Sequence, residues 1–183
     1  MYTLPGTLIE TNEGSCEQII SSLFIAGGLV LSQVCTITGL ETHTVQNWVK
    51  RKFVPPPVDK KYSKRQFCRI VIINMLKDIL LIPSITDIIS FKNSEHTNYA
   101  RENKESVPID ESFLYLCFND IIIKVKDDIS AVEDEIRNAL IRCDGKISVN
   151  KARLYNVLKI MVTAYTAAEQ RRKALIYIKE ELV

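Results

Sequence analysis

Apolar residues recur at intervals of three and four along most of the chain, a spacing that predicts amphipathic helices. The first predicted helix begins after Ser15, which can cap it, and ends before Gly27 and Gly28. Further helices are predicted over residues 64–81 after Ser63, from Ser84 onwards, from Asp110 or Ser112, over residues 130–143 and over residues 150–181. The pattern therefore predicts an all-α protein.

Residues 29–53 contain two shorter helical patterns separated by a glycine. Ser32 can cap the first helix, Gly39 can form a tight turn, and the second helix is expected to begin near Thr42. Apolar residues of both helices form one seam: Val34, Ile37, Leu40, Val45, Trp48 and Val49. Two short helices around a glycine turn are typical of a helix-turn-helix. Trp48 is expected to be a core aromatic of this seam rather than a platform for base stacking.

A proline-rich loop follows the second helix. Pro55, Pro56 and Pro57 cannot continue a helix and favour an extended backbone. The loop is rich in basic residues and leads into the helix that begins after Ser63. A small wing is expected at this position behind a helix-turn-helix.

A polar stretch without apolar periodicity covers residues 92–108. Such a composition is typical of a linker or an exposed loop. It predicts an N-terminal winged helix-turn-helix domain over residues 1–91 and a C-terminal helical bundle over residues 109–183. We expect the bundle to serve dimerisation or effector sensing.

The composition is that of an ordinary globular protein. The chain has 183 residues, of which 46% are hydrophobic and 25% charged, so a disordered, collagenous or membrane-spanning protein is not expected. Five cysteines without a CxxC pair argue against a disulfide framework and against a structural zinc site. The first 49 residues contain no Lys or Arg, whereas a secretory signal starts with positive charge. We therefore expect a cytoplasmic protein with no membrane partner.

The net charge of +2 conceals a strongly basic segment. Residues 46–77 contain nine basic side chains and one acid, Asp59, whereas residues 1–45 contain four acids and no Lys or Arg. A charge of +8 over 32 residues is typical of a surface that binds a polyanion, because each phosphate contact releases a counterion. The alternative interpretation is a solvated helix face. The basic segment coincides with the second helix and the wing, which favours the polyanion.

The outer face of the second helix carries side chains that are suited to DNA. The amides of Gln46 and Asn47 can hydrogen-bond adenine, and Lys50 and Arg51 can contact guanine or phosphate. His43 can contact a phosphate or be a plain exposed or capping residue. The predicted contacts to double-stranded DNA are Thr42, His43, Thr44, Gln46, Asn47, Lys50, Arg51, Lys60, Lys61, Tyr62, Lys64 and Arg65.

Several short motifs follow one another in a characteristic order: Gly27-Gly28-Leu29, Leu31-Ser32-Gln33-Val34, Thr38-Gly39-Leu40-Glu41, Thr44-Val45-Gln46-Asn47-Trp48-Val49-Lys50-Arg51, Pro55-Pro56-Pro57, Lys61-Tyr62-Ser63 and Ile72-Ile73-Asn74-Met75-Leu76. Over residues 31–82 this order resembles the MerR-type winged helix-turn-helix. Over residues 27–115 it resembles more closely a family of MerR-like proteins of unassigned function from Gram-positive bacteria. The resemblance implies a DNA-binding fold and a role as a transcriptional regulator.

The chain also departs from the MerR pattern. Gln46 and Asn47 stand where typical members carry Arg-Tyr, and in the wing only Lys60, as a cation, and Tyr62 correspond to Gly-Tyr-Arg-x-Tyr. Pro83 and the polar linker interrupt the long dimerisation helix that follows the wing in MerR regulators. The resemblance therefore does not imply promoter twisting, and it names no effector.

The sequence contains no motif for catalysis, metal binding or a cofactor. His43 and His96 lack an HExxH context, and the six glycines form neither GxGxxG nor GxxxxGK[ST]. We therefore expect no enzyme, no metal site and no cofactor. A second hypothesis is a helical protein-interaction module that has kept the fold without binding DNA. The concentration of basic side chains in residues 46–77 favours DNA binding over this alternative.

The last predicted helix, over residues 150–181, is longer than one core requires, since about thirty residues span roughly 45 Å. The two preceding helices can cover its apolar stripe from Leu154 to Ala168, whereas Leu175, Ile176 and Ile178 lie beyond them. Helix-turn-helix proteins usually read paired half-sites as two-fold dimers. We expect a homodimer through the C-terminal helix; the alternative is that the helix folds back and completes the core of the monomer.

Overall fold

The computed structural model describes residues 2–11, 15–90, 109–125, 129–142 and 150–182. Over these residues the chain is mostly helical, as the apolar spacing predicts. The helices are α1 (Cys16–Leu23), α2 (Leu31–Thr38), α3 (Thr42–Lys50), α4 (Lys64–Leu76), α5 (Ile82–Ile89), α6 (Glu111–Val125), α7 (Val132–Arg142) and α8 (Lys151–Glu181). Two antiparallel pairs of two-residue strands accompany them: β1 (Tyr2–Thr3) with β2 (Glu10–Thr11), and β3 (Leu29–Val30) with β4 (Lys61–Tyr62).

Side-chain caps set the starts of several helices. Ser15 and Ser63 cap α1 and α4 as predicted, each in a capping box with the glutamine three residues later. Asn150 caps α8 by accepting a hydrogen bond from the Arg153 amide at 3.1 Å. The prediction that Ser32 caps α2 is wrong, because the helix already begins at Leu31.

The stretch after α4 differs from its prediction. The helix predicted over residues 64–81 ends at Leu76, and Pro83 lies in the first turn of α5 instead of preceding it. Proline fits a first helical turn because the amides there have no partner within the helix. The predicted cap at Ser84 is therefore wrong.

The centre of the molecule is α4, most of whose side chains are buried. It packs against α2 and α5 on one part of its surface and against α6 and α8 on another, so helices from both predicted domains share one hydrophobic core. The proposed linker, residues 92–108, lies outside the described residues, and the division into two domains stays a prediction. In the described ranges no helix is both long enough and apolar enough to cross a membrane.

Candidate functional site

The turn between α2 and α3 sets the orientation of α3. Gly39 ends α2 with a φ of 70°, a left-handed conformation that glycine adopts at little cost. Leu40 then enters the core, and α3 packs against α2. Val34, Val45 and Trp48 are buried as the predicted seam requires, and Trp48 is a core residue with 5% of its surface exposed.

The opposite face of α3 is polar and exposed. His43, Gln46 and Lys50 follow one another at intervals of three and four residues, so they project from one side of the helix. Of the predicted contacts on α3, the exposed ones are Thr42, His43, Gln46, Asn47 and Lys50, and Thr44 is half-buried. The helix therefore presents amides, an imidazole and a cation to solvent over an apolar seam.

The pair of β3 and β4 joins the chain before α2 to the chain after α3. Leu29 pairs with Tyr62, and Val30 pairs with Lys61. Gly28 allows this close approach, since a Cβ at that position would lie 3.1 Å from the Tyr62 carbonyl oxygen. Tyr62 is 3% exposed, and its burial raises the pKa of its hydroxyl. Because Tyr62 is a core residue, we remove it from the predicted DNA contacts.

A tight turn before β4 carries Lys60. Val58 and Lys61 exchange two backbone hydrogen bonds, with N···O distances of 3.1 and 2.8 Å. Between them, Asp59 and Lys60 have φ values of 48° and 63°. These are the signs of φ in a type I′ turn, which favours Asn-Gly or Asp-Gly. Lys60 thus occupies a conformation that glycine would adopt more easily.

Lys52 is a basic residue of this region that the predicted contacts omit. It is exposed and follows α3 with a φ of 62°. Together with Lys61 and Arg65 it lines an open cleft of about 1000 Å³ between the end of α3, the proline-rich loop and α4. The sequence signal was the uninterrupted run Lys50-Arg51-Lys52, but its place beside Lys61 depends on the fold.

Side chains of α4 fasten the proline-rich loop. The Gln66 amide nitrogen donates to the carbonyl oxygens of Pro55 and Pro56 at 3.3 and 2.7 Å. Arg69 donates through Nε to the Phe53 carbonyl oxygen at 2.6 Å. These hydrogen bonds connect the loop that follows α3 to α4.

An ionic cluster of Arg65, Arg69 and Glu111 lines the cleft, and its members Arg69 and Glu111 are buried. Arg69 donates through Nη1 to a Glu111 carboxylate oxygen at 2.8 Å and through Nη2 to the Ser90 hydroxyl at 3.0 Å. Arg65 donates through Nε to the other carboxylate oxygen of Glu111, and this hydrogen bond raises the pKa of the Arg65 guanidinium. The cluster joins α4 to α6 and neutralises part of the charge of the predicted contact Arg65.

Three of the remaining cations contact uncharged groups. Lys61 donates to the Ala26 carbonyl oxygen at 3.3 Å, Lys64 donates to the Ser21 hydroxyl at 3.1 Å, and the Arg51 guanidinium lies 5.7 Å from the centre of the Phe53 ring. Within the part of the chain that the structure describes, Arg65 is the one predicted contact in an ion pair. We call the other cations the basic surface: Lys50, Arg51, Lys52, Lys60, Lys61 and Lys64.

The described ranges show no metal centre, and two of their thiols are buried. No group of three or more His, Cys, Asp or Glu there is placed to hold a metal ion. Burial raises the pKa of Cys16 to about 12 and also raises the pKa of Cys68, so both thiols stay protonated at neutral pH. His96 and Cys143 lie outside the described residues.

Comparison with known protein families identifies one family model that matches the chain. The model of a domain of unknown function (DUF1836) matches residues 18–109. The matched segment contains α2, α3, β3, β4 and the whole basic surface, and it stops just before α6. No curated protein and no solved structure matches the chain significantly.

Proposed function

We propose that this chain, which belongs to the DUF1836 family of domains of unknown function, is a sequence-specific double-stranded DNA-binding protein that regulates transcription. One observation carries the proposal. The exposed face of α3 holds Gln46, Asn47 and Lys50 above a buried seam, and the cations of the basic surface, on α3, on the loop after it and at the start of α4, have no acidic partner in an ion pair among the described residues. This role places the protein in the cytoplasm, where bacterial DNA lies.

The proposed architecture is a MerR-like winged helix-turn-helix. It is supported by the left-handed turn at Gly39 between α2 and α3, and by the antiparallel pairing of β3, which precedes α2, with β4, which follows α3. In this arrangement α3 is the recognition helix and enters the major groove, while residues 58–61 are the tip of a small wing. Gln46 and Asn47 read base edges, and the basic surface contacts phosphates.

The salt dependence of DNA binding tests the proposal. Six phosphate contacts predict a slope of about −5 for the logarithm of the association constant against the logarithm of salt concentration. The slope is measured by fluorescence anisotropy with a random-sequence duplex. A slope near zero would exclude DNA binding and favour the protein-interaction module.

Two lysine variants make this test specific to the basic surface. Lys60→Ala removes one proposed phosphate contact and is expected to make the slope shallower by about 0.9. Lys159→Ala is the matched control, because Lys159 is exposed on α8 and pairs with Glu133 at 2.5 Å, away from α3. Its slope is expected to equal that of the unmodified chain, and an equal change in both variants would argue against a defined surface.

A further inference from the structure

The cleft between the end of α3, the proline-rich loop and α4 has the size of a ligand pocket. Its volume of about 1000 Å³ lies at the upper end of the range for pockets that bind small molecules, roughly 300–1,000 Å³. Part of its lining is apolar and comes from Val49, Val54, Pro55, Pro56 and Val58. Apolar lining together with a few polar groups is typical of such pockets. A small molecule with an apolar part therefore fits this cleft.

The charged part of the lining is mainly basic. It consists of four cations and two acids: Lys52, Lys61, Arg65, Arg69, Asp59 and Glu111. Both arginines donate hydrogen bonds to Glu111, so the charge of this acid is neutralised within the lining. The six side chains together leave a net charge of +2. A concave surface with an excess of positive charge attracts anions.

Arg65 is oriented by a buried acid and still has unused hydrogen-bond donors. Its Nε donates to Glu111, whose side chain is 4% exposed, whereas the Arg65 side chain is 50% exposed. The two Nη groups of Arg65 have no hydrogen-bond partner within the parts of the chain that the structure describes. Such a pair of groups matches two oxygens of a phosphate or a carboxylate. Because Glu111 already orients the guanidinium, an anion that binds it has less conformational entropy to remove.

Lys52 brings a charged side chain to the cleft at a cost in backbone conformation. It follows α3 with a φ of 62°, a value at which glycine is favoured. No acid in the described ranges forms an ion pair with it. Strained backbone of this kind is concentrated at binding sites. Lys52 and Lys61 thus add two positive charges to the cleft that Arg65 lines.

We propose that this cleft binds a small molecule that carries a phosphate group and an apolar part. A phosphate monoester has a charge of about −1.5 to −2 at pH 7 and three acceptor oxygens. This charge matches the net charge of the lining, and the oxygens match the donors of Lys52, Lys61 and Arg65. A carboxylate has one negative charge and two oxygens, so it would leave some of these donors unused. The apolar residues of the lining contact the rest of the ligand.

A ligand in the cleft also regulates the binding of DNA. Lys52 and Lys61 line the cleft and are members of the basic surface, so the ligand and the phosphates of DNA compete for the same cations. This regulatory part rests on the proposed function, whereas the binding of the ligand does not.

An NMR titration with three probes at constant ionic strength tests the cleft. Phenyl phosphate carries both chemical features, inorganic phosphate lacks the apolar part, and phenol lacks the phosphate. Phenyl phosphate is expected to bind with a Kd of about 1 mM or below and more tightly than inorganic phosphate, and phenol is expected not to bind. The amide signals of Lys52, Lys61 and Arg65 should shift. No shifts, equal affinity for both phosphates, or shifts spread evenly over the basic surface would overturn the proposal.

Two variants and a control locate the phosphate group. Arg65→Gln removes the guanidinium but leaves Glu111 paired with Arg69. Lys52→Gly removes the amine at a position whose backbone conformation favours glycine, so both variants are expected to fold. Each should weaken the binding of phenyl phosphate about tenfold, because charge-assisted hydrogen bonds are lost.

Lys50→Ala is the matched control for both variants. Lys50 belongs to the basic surface but does not line the cleft, so this variant should bind phenyl phosphate as tightly as the unmodified chain. Unchanged affinity in Arg65→Gln, or an equal loss in Lys50→Ala, refutes the site.

Competition is measured by fluorescence anisotropy with a labelled duplex. Phenyl phosphate at about nine times its own Kd should weaken the binding of DNA about tenfold, whereas phenol at the same ionic strength should leave it unchanged. Unchanged DNA affinity in the presence of bound phenyl phosphate refutes the competition. Failure of the proposed function is seen separately, because the chain then binds phenyl phosphate in the cleft but does not bind the duplex.

Discussion

Replacing Lys60 with glycine is expected to stabilise the fold and to weaken DNA binding at the same time. Lys60 has a φ of 63° in the turn between Val58 and Lys61. A left-handed conformation costs a residue other than glycine roughly 1–2 kcal/mol. Glycine removes this cost, but its greater freedom in the unfolded chain offsets about 0.4–1 kcal/mol of the gain. The free energy of unfolding is therefore expected to rise by about 0.5–1 kcal/mol, and Tm by about 1–4 °C.

Lys60→Ala is the matched control for this prediction. It removes the same charge as Lys60→Gly but leaves a Cβ in the left-handed conformation, so its free energy of unfolding is expected to stay close to that of the unmodified chain. Both variants lose one proposed phosphate contact, and the salt slope of DNA binding is expected to become shallower by about 0.9 in each.

Thermal unfolding and fluorescence anisotropy measure the two effects separately. Equal Tm values for the glycine and alanine variants would refute the argument from backbone conformation. Unchanged salt slopes in both variants would remove Lys60 from the phosphate contacts. A position where stability and binding favour different residues is typical of a functional site.

Further predictions concern the ionic cluster, the start of α6 and the face of α3. Glu111→Gln should lower the free energy of unfolding in urea by about 3–5 kcal/mol, because Arg69 stays buried without its counter-charge, whereas replacing Glu111 and Arg69 together by apolar residues should cost much less. Burial raises the pKa of Asp110, but hydrogen bonds from Ser112 and from the amides at the start of α6 outweigh it and hold that pKa below its ordinary value. Ionised Asp110 therefore stabilises the fold above its unfolded pKa of about 3.9, and this contribution is lost as the pH falls through the lower folded pKa. In Asp110→Asn the free energy of unfolding should not show this loss when it is measured as a function of pH in acid. Gln46→Ala should reduce the preference at one or two base pairs by about 1–3 kcal/mol in a binding-site selection, and an equal loss for all sequences would make Gln46 a positioning residue.

Part of the candidate site follows from short-range patterns. The spacing of Val34, Val45 and Trp48 predicts the buried seam, and the same spacing leaves Gln46 and Asn47 outside, as the structure has them. The caps at Ser15 and Ser63 are likewise predictable, because a capping box requires only a serine and a glutamine three residues later.

Other features depend on residues that are distant in the sequence. Tyr62 belongs to a basic loop but is buried, because β4, which follows α3, pairs with β3, which precedes α2 in the sequence. Part of the charge of Arg65 is neutralised by its ion pair with Glu111, which lies 46 positions later. No local pattern indicates either contact.

The sequence by itself determined that the described chain is mostly helical, that α3 has a polar face and that positive charge is concentrated in residues 46–77, since these features depend on residue types within a few positions of one another. The tertiary structure decided which cations have no acidic partner among the described residues and which lysines adopt left-handed backbone conformations. It also decided that residues 171–182 of α8 are exposed. These outcomes depend on which segments pack together, and the free energy of that packing is shared by residues from the whole chain.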